Sequence, residues 1–500
     1  MRRRLRYLAI DLAVLATVAL VAYGQGGGGG GGRGRGGGDR PPRPGGGGAR
    51  LQALPADMAP QAALSVVPGR PTDRAVSLSI LSDTALEGYV EYGSTLGDYA
   101  SKTAVTTLAA NVPVVITLTD LQPDAGYLYR LRTRASGATA LGTGEGRAFH
   151  TARAPGSTFT VEMQGDSHPE RPQMFDAALY EQTLRAAAAD HPDFYLTIGD
   201  DFSVDTMQPA TADGTARMYR YQRPFLSLLN APVFLVNGNH EQAARCNLDG
   251  TDNNVAVWAG TNRTRYFALP TPDAFYSGDD QSVPRIGLLS DYYAWTWGDA
   301  LFAVIDPYWH SAQPVDNPYG GGQKTRDTWE STLGEAQYRW LEKTLTTSRA
   351  KYKFVFTHHV LGTGRGGTDE AGLFEWGGHN KRGDWEFDQR RPLWPRPIHQ
   401  LMAQTGVTIF FQGHDHIFVK QQLDGVVYQS LPLPADAGYQ WFNREAYGSG
   451  DALPNAGRVR LTVAPDKVRV EYVRSWLPRD ETAGHKNGEV AYSYEVPARR

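Results

Sequence analysis

The sequence predicts an α/β protein in which a small all-β sandwich precedes a larger, layered α/β domain. Apolar residues alternate with a period of two from about residue 64 to residue 151, as half-buried strands do. From about residue 155, mostly apolar strand-like runs alternate with helical segments. At 500 residues, the chain is also too long for one ordinary domain.

The first 50 residues are expected to lie outside both folded regions. Residues 1–24 combine a basic start, "MRRRLR", with a short apolar run and small residues at its end, as a secretory signal peptide does. The apolar run is shorter than the roughly 20 residues of a spanning helix, so we expect no transmembrane span in the mature chain. Residues 25–50 are dominated by glycine, which predicts a disordered linker.

The composition limits which cellular compartment and which classes of partner we expect. Cys246 is the only cysteine, so no intramolecular disulfide can form. This favours a secreted, periplasmic or cell-surface protein of a bacterium over a eukaryotic secretory protein. The formal net charge is -3 and no basic stripe carries interleaved aromatic residues, so we expect no stable nucleic-acid partner. No motif indicates the oligomeric state.

The first folded region, residues 60–153, is predicted to be an antiparallel sandwich. The stretch "AVSLSI" places Val76, Leu78 and Ile80 on one face, and "GYLYRLRTRA" alternates in the same way. Short strands separated by Gly, Pro and Asp are typical of such sandwiches. The stretch "LTDLQPDAGYLYRLRTRA", which is followed later by "FHT", resembles a fibronectin type III module.

The second region, residues 155–480, is predicted to alternate strands with helices. Its candidate strands are "TFTVEMQ", "FYLTIG", "VFLVNG", "ALFAVID", "KFVFTH" and "VTIFFQG". Residues 332–345 are a candidate helix, opened by a capping box of Thr332 and Glu335. The stretch "RVRLTVAPDKVRVEYVRSW" predicts a hairpin that completes the second sheet, and residues 481–500 are expected to form a C-terminal tail.

Five of these strand ends finish in residues that bind metal ions. The motifs contain Asp166 and His168 in "QGDSH", Asp200 in "IGDDF", Asn239 and His240 in "NGNHE", His358 and His359 in "FTHHV", and His414 and His416 in "QGHDH". Taken singly, an aspartate at a strand end also fits a helix cap and an asparagine fits a turn. Half of the 12 histidines lie in these motifs, and nitrogen and oxygen ligands suit zinc, manganese or iron.

Two metal ions would leave a positively charged site. Metals about 3.5–4 Å apart need a bridging group, and a carboxylate can supply it. Two carboxylates and a hydroxide carry less negative charge than two metal ions carry positive charge. Such a site is suited to a phosphoryl oxyanion.

The ordered motifs D-x-H, G-D, G-N-H-E, H and G-H-D-H resemble those of the calcineurin-like metallophosphoesterase superfamily, over residues 155 to about 479. With the sandwich in front, the architecture is similar to that of the purple acid phosphatases. The resemblance implies a four-layer metallophosphoesterase sandwich with two metal ions, which could be iron, zinc or manganese. It implies one metal on Asp166, His168, Asp200 and His416, and the other on Asp200, Asn239, His358 and His414, with Asp200 as the bridge.

One position departs from the purple enzymes. Their iron-binding tyrosine stands three residues after the G-D aspartate, where this sequence has Ser203. His168 is the additional ligand instead, as in other members of the superfamily. We therefore expect no phenolate-to-iron colour.

The resemblance also implies a mechanism. A metal-bound hydroxide would attack phosphorus at a site organised by Asp200, while His240 would lie beside the phosphate and either protonate the leaving oxygen or stabilise the transition state. Asn239 and His240 are thus candidate substrate-binding residues as well, and Glu241 is expected to orient a metal-binding histidine.

A long glycine-rich loop after His358 is a further candidate part of the substrate pocket. Its Arg365 and His379 could bind substrate, or the loop could be a solvated lid without direct contact.

The function that these observations favour is hydrolysis of a small phosphate ester by a secreted, acid-phosphatase-like phosphomonoesterase. A phosphodiesterase or nucleotidase that uses the same metals is the alternative, because the motifs leave the leaving group open. A secreted binding protein with an inactive α/β scaffold is the remote alternative.

Overall fold

The computed structural model of the protein describes residues 62–95, 97–205, 210–316, 326–361 and 364–499. The predicted signal peptide, 1–24, and the predicted linker, 25–50, lie outside these residues. Within the described ranges, no helix combines the length and the apolar character that crossing a bilayer requires.

The N-terminal region is all-β, as the period-two pattern predicts. Its strands are β1 (Leu64–Gly69), β2 (Val76–Ser82), β3 (Leu86–Gly93), β4 (Ser101–Lys102), β5 (Thr106–Leu108), β6 (Val114–Leu118), β7 (Gly126–Ala135), β8 (Gly142–Thr143) and β9 (Arg147–His150). Strands β1, β2 and β6 form one antiparallel sheet, and the other six form a second sheet around β3 and β7. The two sheets enclose a core that includes Val76, Leu78 and Ile80, all fully buried.

The region that follows is mixed α/β. Its strands are β10 (Phe159–Gln164), β11 (Phe194–Thr197), β12 (Val233–Leu235), β13 (Ser277–Gly278), β14 (Ser282–Val283), β15 (Gly287–Leu288), β16 (Tyr293–Trp297), β17 (Ala300–Val304), β18 (Tyr352–Phe356), β19 (Ile409–Gln412), β20 (Phe418–Leu423), β21 (Val426–Ser430), β22 (Asp451–Leu453), β23 (Gly457–Val463), β24 (Lys467–Arg474) and β25 (Val490–Pro497). Its helices are α1 (Ala177–Ala189), α2 (Ala212–Leu226), α3 (Val255–Tyr266), α4 (Gly334–Thr347), α5 (Phe374–Gly377), α6 (Phe387–Arg390) and α7 (Ile398–Thr405).

Two large sheets form the centre of this region. The first has the order β12-β11-β10-β23-β24-β25, and the second has the order β13-β16-β17-β18-β19-β21-β20-β22. Strands β10, β11 and β12 are parallel to one another, as are β17, β18, β19 and β21. Because parallel strands end at the same edge of a sheet, the loops that follow them lie close together.

The apolar faces of the two sheets and of the helices determine how the layers stack. Phe159 of the first sheet and Phe302 and Phe411 of the second belong to one buried cluster between the sheets. Helices α1, α2 and α3 cover the outer face of the first sheet, and α4, α5 and α7 cover that of the second. Both faces of the central strands are therefore buried, which explains their nearly continuous apolar sequences and confirms the predicted four layers.

Three local predictions need correction. The helix predicted at 332–345 begins at Gly334. The hydroxyl of Thr332 accepts from the N–H of Gly334, whereas Glu335 turns outward to Arg339, so no capping box forms.

Within the predicted tail 481–500, residues 490–497 form β25, which pairs antiparallel with β24. This edge strand has half-exposed alternating residues, so its sequence lacks the apolar character of the central strands. The predicted hairpin is present as β23 and β24, but it extends the first sheet, next to β10, and not the second sheet as expected.

Candidate metal centre

The ligand-type residues lie after the carboxyl ends of five strands taken from both large sheets. Asp166 and His168 follow β10, Asp200 follows β11, Asn239 and His240 follow β12, His358 follows β18, and His414 and His416 follow β19. All of them are at least nine-tenths buried. The structure thus brings the residues predicted as ligands to one place.

The backbone bends sharply at this place. His168, Asp200, His414 and His416 adopt positive φ angles of 44°, 60°, 63° and 58°. Such angles are uncommon for residues with a Cβ, and they cluster where a site requires a particular side-chain direction. At Gly238 an added Cβ would lie 2.2 Å from Oδ1 of Asp200, so the close approach of these loops requires glycine.

The first group of donors consists of Asp166, His168 and His416. Oδ2 of Asp166 lies 2.9 Å from Nε2 of His416 and 3.5 Å from Nε2 of His168, and the two Nε2 atoms are 3.2 Å apart. Oδ1 of Asp166 accepts the backbone N–H of His414 at 2.8 Å. One carboxylate oxygen therefore ties two loops together, while the other faces the histidines.

The second group consists of Asp200, His358 and His414. Oδ2 of Asp200 lies 3.0 Å from Nε2 of His358, whose Nδ1 donates to the carbonyl of Ile198 at 2.7 Å. Nδ1 of His414 lies 3.3 Å from the same Nε2. Oδ2 of Asp200 is also 3.7 Å from Nε2 of His168, so this oxygen lies between the two groups.

Electrostatics favour positive charge between these donors. Burial alone would lower the pKa of both His168 and His358, but neighbouring carboxylates outweigh it and raise both values to about 10. Burial would likewise raise the pKa of Asp200, but His358 and His240 hold it well below its usual range. The carboxylates stabilise positive charge here, whether protons or cations carry it.

The donor set fits two divalent cations. Oδ2 of Asp166, Oδ2 of Asp200 and both polar atoms of the Asn239 side chain are buried, and none forms a conventional hydrogen bond with the described residues. Buried polar atoms are normally satisfied, so orphaned oxygens that face histidine nitrogens are the arrangement that metal ions complete. The donors are nitrogen and oxygen atoms, which suit zinc, manganese or iron.

His240 lies at the edge of the centre between two charged side chains. Its Nδ1 is 2.7 Å from Oδ2 of Asp205, and its Nε2 is 2.7 Å from Nη2 of Arg171. The same Nε2 is 3.8 Å from Oδ2 of Asp200. The hydrogen bond with Asp205 fixes the ring so that Nε2 points toward the metal centre.

The neighbouring histidines at 358 and 359 have different surroundings. His358 lies among the donors, whereas Nδ1 of His359 is 2.8 Å from the hydroxyl of Tyr308. Adjacent residues at the end of a strand point in different directions, which accounts for this difference.

Glu241 has contacts that differ from the prediction. Its carboxylate accepts four backbone N–H groups, from Gly238, Asp200, Asp201 and Phe202, at 2.7–3.0 Å. It therefore holds the loops that carry Asp200 and Asn239, instead of orienting a histidine.

Several residues beside the centre are not among the residues predicted as ligands or substrate contacts. Glu170 accepts from Nδ1 of His168 at 2.9 Å, and Oδ2 of Asp316 lies 3.6 Å from Nε2 of His414. Asp205 and Arg171 flank His240 as described above. A signal for two of these residues was present in "DSHPER", where two charged residues follow the histidine closely.

The two loop residues predicted to bind substrate lie in different places. Nη1 of Arg365 donates to the carbonyl of His414 and is 3.6 Å from Oδ1 of Asp415, next to the centre. His379 contacts the carbonyl of Gly372 and the ring of Trp385, and within the described residues it has no contact with the metal centre.

Comparisons with known proteins agree with this geometry. A family model described as calcineurin-like phosphoesterase matches residues 163–418. The structure of PhoD has a TM-score of 0.58 at 15% identity, over 87% of this chain and 90% of that chain. Purple acid phosphatase PPD1 from yellow lupin (Lupinus luteus) seeds has a TM-score of 0.53 at 15% identity, over 87% of this chain and 74% of that chain. At this identity, both show similarity of fold. No curated protein matches the sequence.

Proposed function

Because the chain belongs to the calcineurin-like phosphoesterase family and is a metal-dependent phosphoesterase, we propose that it is a secreted phosphomonoesterase that acts on small phosphate esters. Two metal ions, which could be iron, zinc or manganese, would be bound. One would be held by Asp166, His168, Asp200 and His416, and the other by Asp200, Asn239, His358 and His414.

The position of Asp200 is the observation that carries this proposal. Its Oδ2 faces His358 of one group and His168 of the other, at 3.0 and 3.7 Å. Its Oδ1 accepts the N–H of His240 at 2.9 Å, so Oδ2 is the oxygen left to serve both groups. Two bound cations would supply Lewis-acid activation of water and neutralise charge on the phosphoryl oxygens.

His240 would act on the leaving group. Nη2 of Arg171 donates to Nε2 of His240 in the structure. Nε2 can therefore protonate an ester oxygen beside Asp200 only when that arginine N–H turns to another acceptor and the ring, held at Nδ1 by Asp205, is protonated. Asp205 would stabilise the resulting charge and keep the ring in place. General acid catalysis of this kind contributes roughly 100- to 10,000-fold.

The alternative, a phosphodiesterase or nucleotidase, has one supporting observation. The ring of Phe442 lies 6.1 Å from that of His416, edge to face, and the neighbouring Trp441 is 52% exposed. An aromatic surface beside a metal-binding histidine could hold a nucleobase or a second ester arm.

The test compares an aryl phosphomonoester with an aryl phosphodiester on one metal-loaded preparation. We expect the monoester to have the higher kcat/KM, and we expect Asp200→Asn to remove both activities and reduce the bound metal. Preference for the diester would favour the alternative. If neither ester turns over above the Asp200→Asn blank with manganese, zinc or iron, catalysis is refuted and the binding-protein reading takes its place.

The part of this proposal that concerns secretion rests on the predicted signal peptide, residues 1–24, alone. Expression in bacteria with and without this segment, followed by separation of periplasm and cytoplasm, tests it directly. The protein should leave the cytoplasm only when the segment is present, and equal distribution of the two forms would contradict export.

A further inference from the structure

We infer that Arg171 binds the phosphoryl group and gives the site its preference for doubly charged phosphomonoesters, an inference that rests on the proposed function. Arg171 follows His168 by three residues in the loop after β10. The sequence offers Arg365, in the glycine-rich loop after His358, as a candidate for substrate binding, whereas the cation proposed here lies in a different loop.

The guanidinium of Arg171 is fixed from one side by Glu170. Nε of Arg171 lies 3.2 Å from Oε1 of Glu170, and the same oxygen accepts from Nδ1 of His168 at 2.9 Å. The Glu170 side chain is only 2% exposed. A buried carboxylate thus joins the arginine to a metal-binding histidine, so the guanidinium keeps a constant position relative to the metal centre.

The other side of the guanidinium faces His240. Nη2 of Arg171 is 2.7 Å from Nε2 of His240, which in turn is 3.8 Å from Oδ2 of Asp200. The cation therefore lies on the side of the centre where the leaving group is proposed to bind. Nη1 makes no hydrogen bond with the described residues, and the side chain is 22% exposed, so donors remain accessible to a ligand.

The chemistry of guanidinium suits this ligand. Its planar, parallel N–H donors match two oxygens of a phosphate, and its charge is retained at every relevant pH. An additional positive charge stabilises a monoester dianion more than a diester monoanion, because the Coulomb energy scales with the product of the charges. Arg171 would therefore discriminate between the two classes of ester.

Arg365 is less suited to the same role. Its Nη1 already donates to the carbonyl of His414 and lies 3.6 Å from the buried carboxylate of Asp415. This guanidinium is engaged in holding the loop that carries two ligands.

The experiment measures kcat/KM for both esters in wild type, Arg171→Lys and Arg171→Ala, all metal-loaded. We expect Arg171→Ala to lower kcat/KM for the monoester about 100-fold and that for the diester less than about 10-fold. Arg171→Lys, which keeps the charge but loses the paired donors, should fall between. Arg382→Ala is the matched control, since its side chain is 80% exposed and pairs with Asp384 on the surface.

A second measurement does not depend on turnover. Calorimetry with inorganic phosphate on the metal-loaded proteins should show binding at least about 10-fold weaker in Arg171→Ala, with bound metal and unfolding midpoint unchanged. If phosphate binding and the ratio of the two activities match wild type, or if the loss follows loss of metal, the inference is wrong. If wild type hydrolyses neither ester, the proposed function fails, whereas the phosphate titration still decides the role of Arg171.

Discussion

Gln222 and Arg223 are neighbours on α2, yet their side chains connect to opposite parts of the molecule. Nε2 of Gln222 donates to the hydroxyl of Ser167 and to the carbonyl of Asp201, both at 2.8 Å. Ser167 stands between two proposed ligands, and Asp201 follows the proposed bridge. Arg223 donates instead to the first sheet of the N-terminal sandwich. A single helix therefore holds the sandwich on one side and the loops of the metal centre on the other.

Arg223 should be a major source of stability at the contact between the two regions. Its guanidinium is fully buried and donates to the carbonyls and hydroxyls of Ser65 and Ser79, at 2.8–3.3 Å, and to the carbonyl of Tyr266. Burial lowers its pKa to about 9, which is a cost that the five hydrogen bonds offset.

We expect Arg223→Met to lower the free energy of unfolding by about 2–4 kcal/mol, because buried acceptors lose their donors. Urea unfolding measures the change. The control is Arg220→Met on the same helix, whose partner Asp213 is 84% exposed, and which should change stability little. Equal effects of the two substitutions would contradict this role of Arg223.

Gln222 should influence the affinity for metal more than global stability. In Gln222→Leu, the hydroxyl of Ser167 and the carbonyl of Asp201 lose their shared donor, which frees the two loops that carry Asp166 and Asp200. Residues that position metal ligands typically change affinity by about 10- to 100-fold. Competition with a chelator of known affinity measures this, and unchanged affinity in a folded variant would show that the loops are held by other contacts.

Glu241 should be needed for the loops to close around the centre. In Glu241→Gln, one of the two oxygens becomes an NH2 group that meets backbone donors, so two of the four hydrogen bonds are lost and donors face donors. We expect less than half of the wild-type metal content and a lower unfolding midpoint. Metal analysis after gel filtration checks this, with Glu370→Gln, at a partly buried position on another loop, as the control. Full metal content in Glu241→Gln would refute the argument.

The sequence predicts the candidate ligands better than their surroundings, for a physical reason. Apolar strands such as β10 and β11 are visible from their composition, and parallel pairing brings the residues that follow them to one edge of the sheet, so Asp166 and Asp200 are expected to be neighbours from sequence alone. The partners of Arg171 and Glu241 depend on how the loops curl after the strands, in part through positive φ angles at Asp200 and His168. Nothing in the local sequence specifies those angles.

The same dependence on tertiary structure explains why the sequence does not predict β25 or the hydrogen bond between Asp205 and His240. The stretch "VAYSYEVP" lacks the continuous apolar run of the central strands because one face of β25 is exposed at the edge of the sheet, where Ser493 and Glu495 lie. Asp205 lies 35 residues before His240, and it reaches the ring because two loops meet in space. Contacts of this kind follow from the tertiary structure alone.

Asp279 offers a test of electrostatics away from the metal centre. Its side chain is buried, and burial together with the negative charge of Asp291 raises its pKa to about 6 from an ordinary value of 3.8. His310, which donates to Asp291 at 3.0 Å, and the N–H of Gln281 oppose this shift in part. Ionising Asp279 is therefore harder in the folded chain than in the unfolded chain.

The sign of the pH dependence follows from these values. Well below pH 3.8 the group is protonated in both states and does not affect stability. As pH rises toward 6 the unfolded chain ionises first, so wild type loses stability relative to Asp279→Asn, and the loss is complete above pH 6. The asparagine oxygen can still accept from the N–H of Gln281. We expect Asp279→Asn to gain about 1–2 kcal/mol at pH 7.5 and less than about 0.5 kcal/mol at pH 4, measured by urea unfolding at both pH values. The exposed neighbour Asp280, changed to Asn, is the control, and a gain in Asp279→Asn that does not vary with pH would show that packing and not ionisation causes it.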